Sequence, residues 1–232
     1  MSIRDNIKSI RKELPSTTKL VAVSKFVSED DIYKAYFAGQ RMFGESRPQE
    51  LLQKATSMPE DIEWHFIGNL QTNKLKMVLP YAKLIHSVDS KKLLLAIESY
   101  CIKNDLYANV LLEQHIAQEE TKSGFSKEQL FSLFDSIGNE FQLTRVNIKG
   151  LMGMATFVED NEDIVHEFEN LVDTFETIKA KEYSFLQNFS ELSFGMSGDY
   201  RLAIAMGSTL VRIGTSIFGG RQNYEEENIN LI

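Results

Sequence analysis

The sequence predicts an α/β fold, a single closed (β/α)8 TIM barrel with an extra helix at its start, and three observations carry that prediction. Short apolar runs of strand character alternate with longer segments whose apolar residues recur at helical spacing. Eight such strands fit within 232 residues, the usual size of this fold. No glycine-rich dinucleotide turn follows the first strand, where Lys25-Phe26-Val27-Ser28 stands instead, which argues against an open doubly wound sheet.

The opening helix covers Ile3 to Leu14, with Ile3, Ile7, Ile10 and Leu14 at helical spacing among charges, unlike the unbroken apolar run of a secretory signal. Strand 1, Lys19 to Lys25, leads into a helix over Glu29 to Ala38, and strand 2, Met42 to Ser46, into one over Pro48 to Thr56. Strand 3 is Glu63 to Gly68 with helix Thr72 to Leu79, and strand 4 is Leu84 to Asp89 with helix Lys91 to Asn104. Strand 5, Ala108 to Ile116, precedes helix Lys127 to Gly138; strand 6, Val146 to Met154, precedes a helix from about Asp163 to Lys181. In that last helix Ile164, Phe168, Leu171, Val172, Phe175 and Ile178 form one stripe that has to pack on a sheet. Strand 7, Glu191 to Ser197, is followed by helix Asp199 to Met206, and strand 8 is Thr209 to Phe218. Strict alternation makes the strands parallel. Residues 1–232 are read as one domain, with the extra helix at 1–15 and a polar tail at 221–232.

A 43% hydrophobic composition fills a sizeable core and excludes disorder. The balance of 25 Lys+Arg against 33 Asp+Glu, a net charge of −8, lacks the basic footprint of a nucleic-acid binder. No apolar segment reaches the length of a membrane span. Cys101 cannot form an internal disulfide, so it reads as a small core or half-buried residue in a reducing compartment. The expectation is a cytoplasmic protein, monomer or weak dimer, without nucleic-acid or membrane partners.

The working face of such a barrel lies at the carboxyl ends of its strands. Lys25 closes Leu20-Val21-Ala22-Val23-Ser24, and alternation puts it on one face with Val21 and Val23. If that face points inward, desolvation favours the neutral amine that Schiff-base formation requires; the plain alternative is a strand-end lysine that snorkels to water. Gly195-Met196-Ser197-Gly198-Asp199 and Gly214-Thr215-Ser216 follow strands 7 and 8, where this fold usually holds phosphate on free N–H groups and small hydroxyls. Ser197, Gly214 and Thr215 fit those roles, although Ser197 alone also reads as a helix cap. Arg212, inside strand 8, needs a partner because its charge cannot be titrated away: a ligand acceptor, or a carboxylate on a neighbouring strand such as Glu113. His65 and His86 read as satisfied barrel histidines rather than a metal pair. Ser46 and Asn69 end strands after glycines and read as caps, and Gln118 to Gly124 as a solvated loop.

Taken together and in order, these residues resemble the pyridoxal phosphate homeostasis proteins. The resemblance is carried by Leu20-Val21-Ala22-Val23-Ser24-Lys25, Gly39-Gln40, Phe43-Gly44-Glu45, Trp64-His65-Phe66-Ile67-Gly68, Leu70-Gln71, Asn73-Lys74 and Gly150-Leu151-Met152. It continues in Gly195-Met196-Ser197, Gly207-Ser208-Thr209, Val211-Arg212-Ile213-Gly214 and Ile217-Phe218-Gly219. It implies a barrel like the N-terminal domain of alanine racemase, with pyridoxal 5'-phosphate (PLP) held by Lys25 as an aldimine. It further implies phosphate binding by Ser197, Gly214 and Thr215, and Arg212 at the pyridine nitrogen. The chain departs from the family pattern at Ser46 and at Gln114-His115.

An arginine beside the ring nitrogen disfavours its protonation and makes the cofactor a poorer electron sink. A racemase also needs an acid/base on the opposite ring face, which alanine racemases draw from an additional domain. The expectation is therefore a non-catalytic carrier in PLP homeostasis, with PLP-dependent apoenzymes as partners. The alternatives are a PLP-dependent amino-acid racemase and a Schiff-base aldolase using Lys25 directly.

Overall fold

The computed structural model describes residues 2–118, 123–156 and 161–220. The tail at 221–232 and residues 119–122 of the loop after the fifth strand lie outside the described residues.

Helix α1 (Ile3–Glu13) starts in a capping box: the Asp5 N–H donates to the Ser2 hydroxyl while the Asp5 carboxylate accepts from the Ser2 backbone. The strands are β1 (Lys19–Val23), β2 (Met42–Glu45), β3 (Glu63–Phe66), β4 (Ala82–Val88), β5 (Ala108–Gln114), β6 (Val146–Gly153), β7 (Glu191–Ser193) and β8 (Leu210–Ile213). Between them run α2 (Glu29–Phe37), α3 (Pro48–Ser57), α4 (Leu75–Val78, after a 3-10 turn at Thr72–Lys74), α5 (Lys91–Asn104), α6 (Lys127–Ser136), α7 (Asn161–Ala180) and α8 (Tyr200–Ala205). Each strand pairs in parallel with the next, and β1 pairs with β8, closing the barrel with Ala22 opposite Ile213.

Two apolar clusters divide at the strands. Val21, Leu84, Leu111, Met152 and Leu210 fill the interior, while their alternates, such as Leu20, Ala22, Leu112, Leu151 and Val211, pack outward against the helices. The stripe of α7 joins that outer core through buried Phe168, Leu171, Phe175 and Ile178. Cys101 is fully buried on α5.

Several strands end earlier than the apolar pattern predicts. The largest correction is at the eighth, where Thr215–Phe218 forms helix α9 instead of extending the strand. Ile217 keeps the run apolar because α9 buries it, which alternation alone cannot distinguish from a strand residue. The seventh stops at Ser193, because Gly195 takes φ +92° and an added Cβ would meet Ala203 Cβ at 2.4 Å, so the chain turns sharply there. The first ends at Val23, so Lys25 sits in the turn beyond β1 rather than in alternation with Val21 and Val23.

Candidate ligand site at the carboxyl mouth of the barrel

Closure between β1 and β8 brings the Lys25 turn beside the turn that opens α9. The register that pairs Ala22 with Ile213 continues to Val23 and Gly214, and a Cβ on Gly214 would lie 3.3 Å from both the Cβ and the carbonyl oxygen of Val23. Lys25 is half-buried two residues further on.

Across the next seam, Gly214 donates its N–H to Ser197 Oγ at 3.3 Å, tying the turns after β7 and β8 together. Ser197 is therefore not the cap of α8; Asp199 takes the N-cap position, and its carboxylate accepts from the Met196 N–H. Thr215 and Ser216 are exposed in the first turn of α9, where a helix supplies no acceptor for backbone N–H groups. Burial raises the Asp199 carboxyl above its ordinary value.

Arg212 lies below these turns, 4% exposed, on the inward face of β8. Its hydrogen-bond partners within the protein are neutral, and the carboxylate Glu113, the alternative to a ligand acceptor, is not among them. Nη1 donates to Ser193 Oγ at 2.5 Å and to Ser193 O at 2.9 Å, and Nη2 donates to Gly153 O at 3.0 Å. Glu113 is not on a neighbouring strand: β5 stands three strands round the barrel from β8. It faces Arg212 through the interior, 5% exposed, and burial with the Asp89 charge pushes its carboxyl up to about 7 against the pull of Arg212. Burial in turn lowers Arg212 to about 10, still charged at neutral pH.

The arginine heads a hydrogen-bonded chain along the barrel axis. Ser193 Oγ lies 3.0 Å from His86 Nδ1, and His86 Nε2 lies 2.8 Å from His65 Nδ1. Arginine can only donate, and Ser193 Oγ, with one proton and two lone pairs, joins it to His86 Nδ1, the sense of the bonds from Ser193 through His86 to His65 Nδ1 being set by the His86 tautomer. Both rings are neutral: burial lowers His65 to about 3 and His86 well below its ordinary value. His65 reaches a cavity of about 230 Å³ at the opposite, amino-terminal end of the barrel. The two histidines are thus satisfied within the barrel, and among the described residues no three His, Cys, Asp or Glu groups gather to hold a metal ion.

Gln114, one of the departures from the family pattern, ends outside the mouth, with its amide 3.5 Å from Asn170 of α7. Ser193 was not singled out in the sequence, because a serine within a strand run carries no chemical signal without the barrel register.

The residues at the mouth fit PLP chemically. They offer a lysine amine for an aldehyde, a glycine-hydroxyl cradle with first-turn N–H groups for a dianion, and a buried arginine beneath.

Fold and mouth together define a (β/α)8 barrel with a lysine-bearing turn beside a glycine-hydroxyl turn across its closing seam. The family described as alanine racemase, N-terminal domain, matches residues 1–222. The pyridoxal phosphate homeostasis protein of Aquifex aeolicus is 39% identical over 205 residues, covering 88% of this chain and 87% of that protein. PipY of Synechococcus elongatus, whose structure is known without and with PLP bound, superposes with TM-scores of 0.87 and 0.83 at 32% identity, covering 94% of this chain and 100% of PipY. An alanine racemase of Clostridium difficile shares the fold, with a TM-score of 0.76 at 12% identity, and this chain covers 58% of it. The chain belongs to the pyridoxal phosphate homeostasis proteins within the alanine racemase N-terminal-domain family.

Proposed function

We propose that the protein binds PLP at the carboxyl mouth, holds it covalently on Lys25, and keeps it available to PLP-dependent apoenzymes. The observation that carries this reading is the β1–β8 seam, where the Lys25 turn adjoins the Gly214–Thr215 turn. Ser197, Gly214 and Thr215 would take the phosphate, and Arg212 the ring nitrogen. Bound PLP supplies a reactive aldehyde and an electron-withdrawing ring. A charged guanidinium facing the ring nitrogen disfavours protonation there, which suits holding the cofactor more than carbanion chemistry. The names of the relatives, homeostasis proteins rather than racemases, support the same reading. The predicted cytoplasmic location stays part of this proposal; among the described residues no helix is long and apolar enough to cross a membrane.

Glu113 favours a second reading, a PLP-dependent racemase, because a carboxyl raised to about 7 near Arg212 is a ready acid or base.

Freshly purified protein supplied with PLP should show a visible absorption band that borohydride abolishes, with the reduced label on the Lys25 peptide by mass spectrometry. Lys25→Ala should lack the band and keep its circular dichroism. A label on another lysine refutes the placement, absence of any band refutes PLP binding, and sustained racemisation of L-amino acids in chiral chromatography replaces the carrier with the racemase.

A further inference from the structure

The two chain neighbours of Lys25 are anchored by a cluster of charges from β2 and α3 that no sequence pattern connects with it. Lys54, on α3, is 6% exposed and its ammonium has three protons to place. It donates to Ser24 O at 2.9 Å, to Glu45 Oε1 at 2.9 Å and to Glu50 Oε2 at 3.1 Å. The Ser24 hydroxyl donates to the same Glu45 oxygen at 2.6 Å. On the other side of the lysine, the Phe26 N–H donates to Glu50 Oε2 at 3.0 Å, and the Arg47 guanidinium lies 4.3 Å from the Phe26 ring centre.

Phe26 has φ +61°, a left-handed conformation that costs a bulky residue free energy and persists only where its surroundings impose it. Burying an ammonium between two carboxylates is also costly unless every donor is matched. Two unfavourable features therefore meet at residues 24 and 26, and the same three side chains bear on both, with Glu45 Oε2 itself buried without a hydrogen-bond partner among the described residues. A turn with no task beyond joining β1 to α2 needs neither.

We propose that Lys54, with Glu45 and Glu50, is a positioning device that fixes the Lys25 turn so that its amine meets the carbonyl carbon of a phosphorylated aldehyde at the mouth. The step it serves joins that nitrogen to the carbon while the carbonyl oxygen leaves as water. The inference rests on the reading that Lys25 binds PLP. It predicts a division of labour: the clamp governs covalent capture, and the turns after β7 and β8 govern the phosphate.

The test compares PLP with pyridoxine 5'-phosphate, which has the same ring and phosphate but an alcohol in place of the aldehyde. Lys54→Met and the charge-neutral pair Glu45→Gln/Lys54→Met are titrated with both ligands, and thermal melts of each variant verify folding. The double variant leaves no uncompensated carboxylate at position 45, so it keeps the question open to measurement if Lys54→Met unfolds. Affinity for PLP should fall by about tenfold or more and the visible band should form more slowly, while affinity for the alcohol stays within about twofold of the wild type. Equal losses for both ligands assign the cluster a structural role and overturn the proposal, as does unchanged capture of PLP. If the wild type itself forms no borohydride-sensitive band, the PLP reading falls and takes this inference with it; a normal wild-type band with unaffected variants sinks the clamp alone.

Discussion

Replacing Glu113 with glutamine isolates the electrostatics of the barrel interior. The carboxyl stands at about 7 in the folded protein against an ordinary 4.5, chiefly because burial disfavours its charge. Each tenfold change in proton affinity is worth about 1.36 kcal/mol, so ionising Glu113 costs the folded state about 3 kcal/mol more than the unfolded chain. Because the folded value is raised, the native state holds the proton more tightly. That contribution is complete below pH 4.5, is lost as the pH rises towards 7, and changes no further above it. His65 acts in the opposite sense: its value is depressed to about 3, so its contribution is present above 6.5 and lost as the pH falls. A melting profile of the wild type alone would mix the two. The difference between Glu113→Gln and wild type removes the histidine contribution, since both proteins share it. Urea unfolding should show the glutamine variant gaining about 2 kcal/mol relative to wild type between about pH 5.5 and about pH 8.5. In thermal melts this is a relative rise of about 4–8 °C for a chain of this size. An increment that does not change with pH would refute the argument that this carboxyl is strained by burial and by Asp89.

Ser193→Ala removes one of the two acceptors of Arg212 Nη1, leaving Ser193 O, together with the hydrogen-bond partner of His86 Nδ1. A buried polar group left without a partner costs about 1–3 kcal/mol, so urea unfolding should report a loss in that range, and a loss below about 0.5 kcal/mol breaks the axial chain as described. Ser197→Ala and Thr215→Ala should each weaken PLP retention by about 1.5–3 kcal/mol, the worth of one hydrogen bond to a charged group, measured by titration. Unchanged affinity in the double variant removes these residues from the phosphate site.

The architecture was legible because each element obeys its local rule. Eight apolar runs alternate with helical stripes, and the long stripe of α7 buries the residues its spacing marks, Phe168, Leu171, Phe175 and Ile178. Strand ends were less legible, since an apolar residue such as Ile217 satisfies a strand pattern and a helix pattern equally when both faces are covered. Lys25 was singled out as the last residue of the first strand, yet the turn that carries it and the Lys54 cluster beside that turn were not. Lys54 reads in sequence as the exposed half of an i,i+4 pair with Glu50, the commonest and weakest of helix-surface contacts. Only the fold shows that α3 turns that face inward and lowers the ammonium onto Ser24.

The same limit explains Arg212. Sequence reasoning correctly required a partner for a buried charge that cannot be neutralised, and named Glu113 as one candidate. What decides the partner is the layer each side chain occupies along the barrel axis, which depends on the stagger between strands and is invisible in any single strand. β8 pairs with β7 so that Leu210 stands opposite Ser193, bringing the serine within reach of the arginine two residues later. Glu113, across the interior, is left to act at a distance. Arg212 therefore donates its hydrogen bonds to neutral acceptors and takes its charge compensation from a carboxyl to which it makes no hydrogen bond. That separation keeps Glu113 close to its titration point at neutral pH, whereas a direct ion pair would hold it ionised. Glu113 is thus one of two carboxyls, with Asp199, whose charge bears on Arg212 inside the barrel.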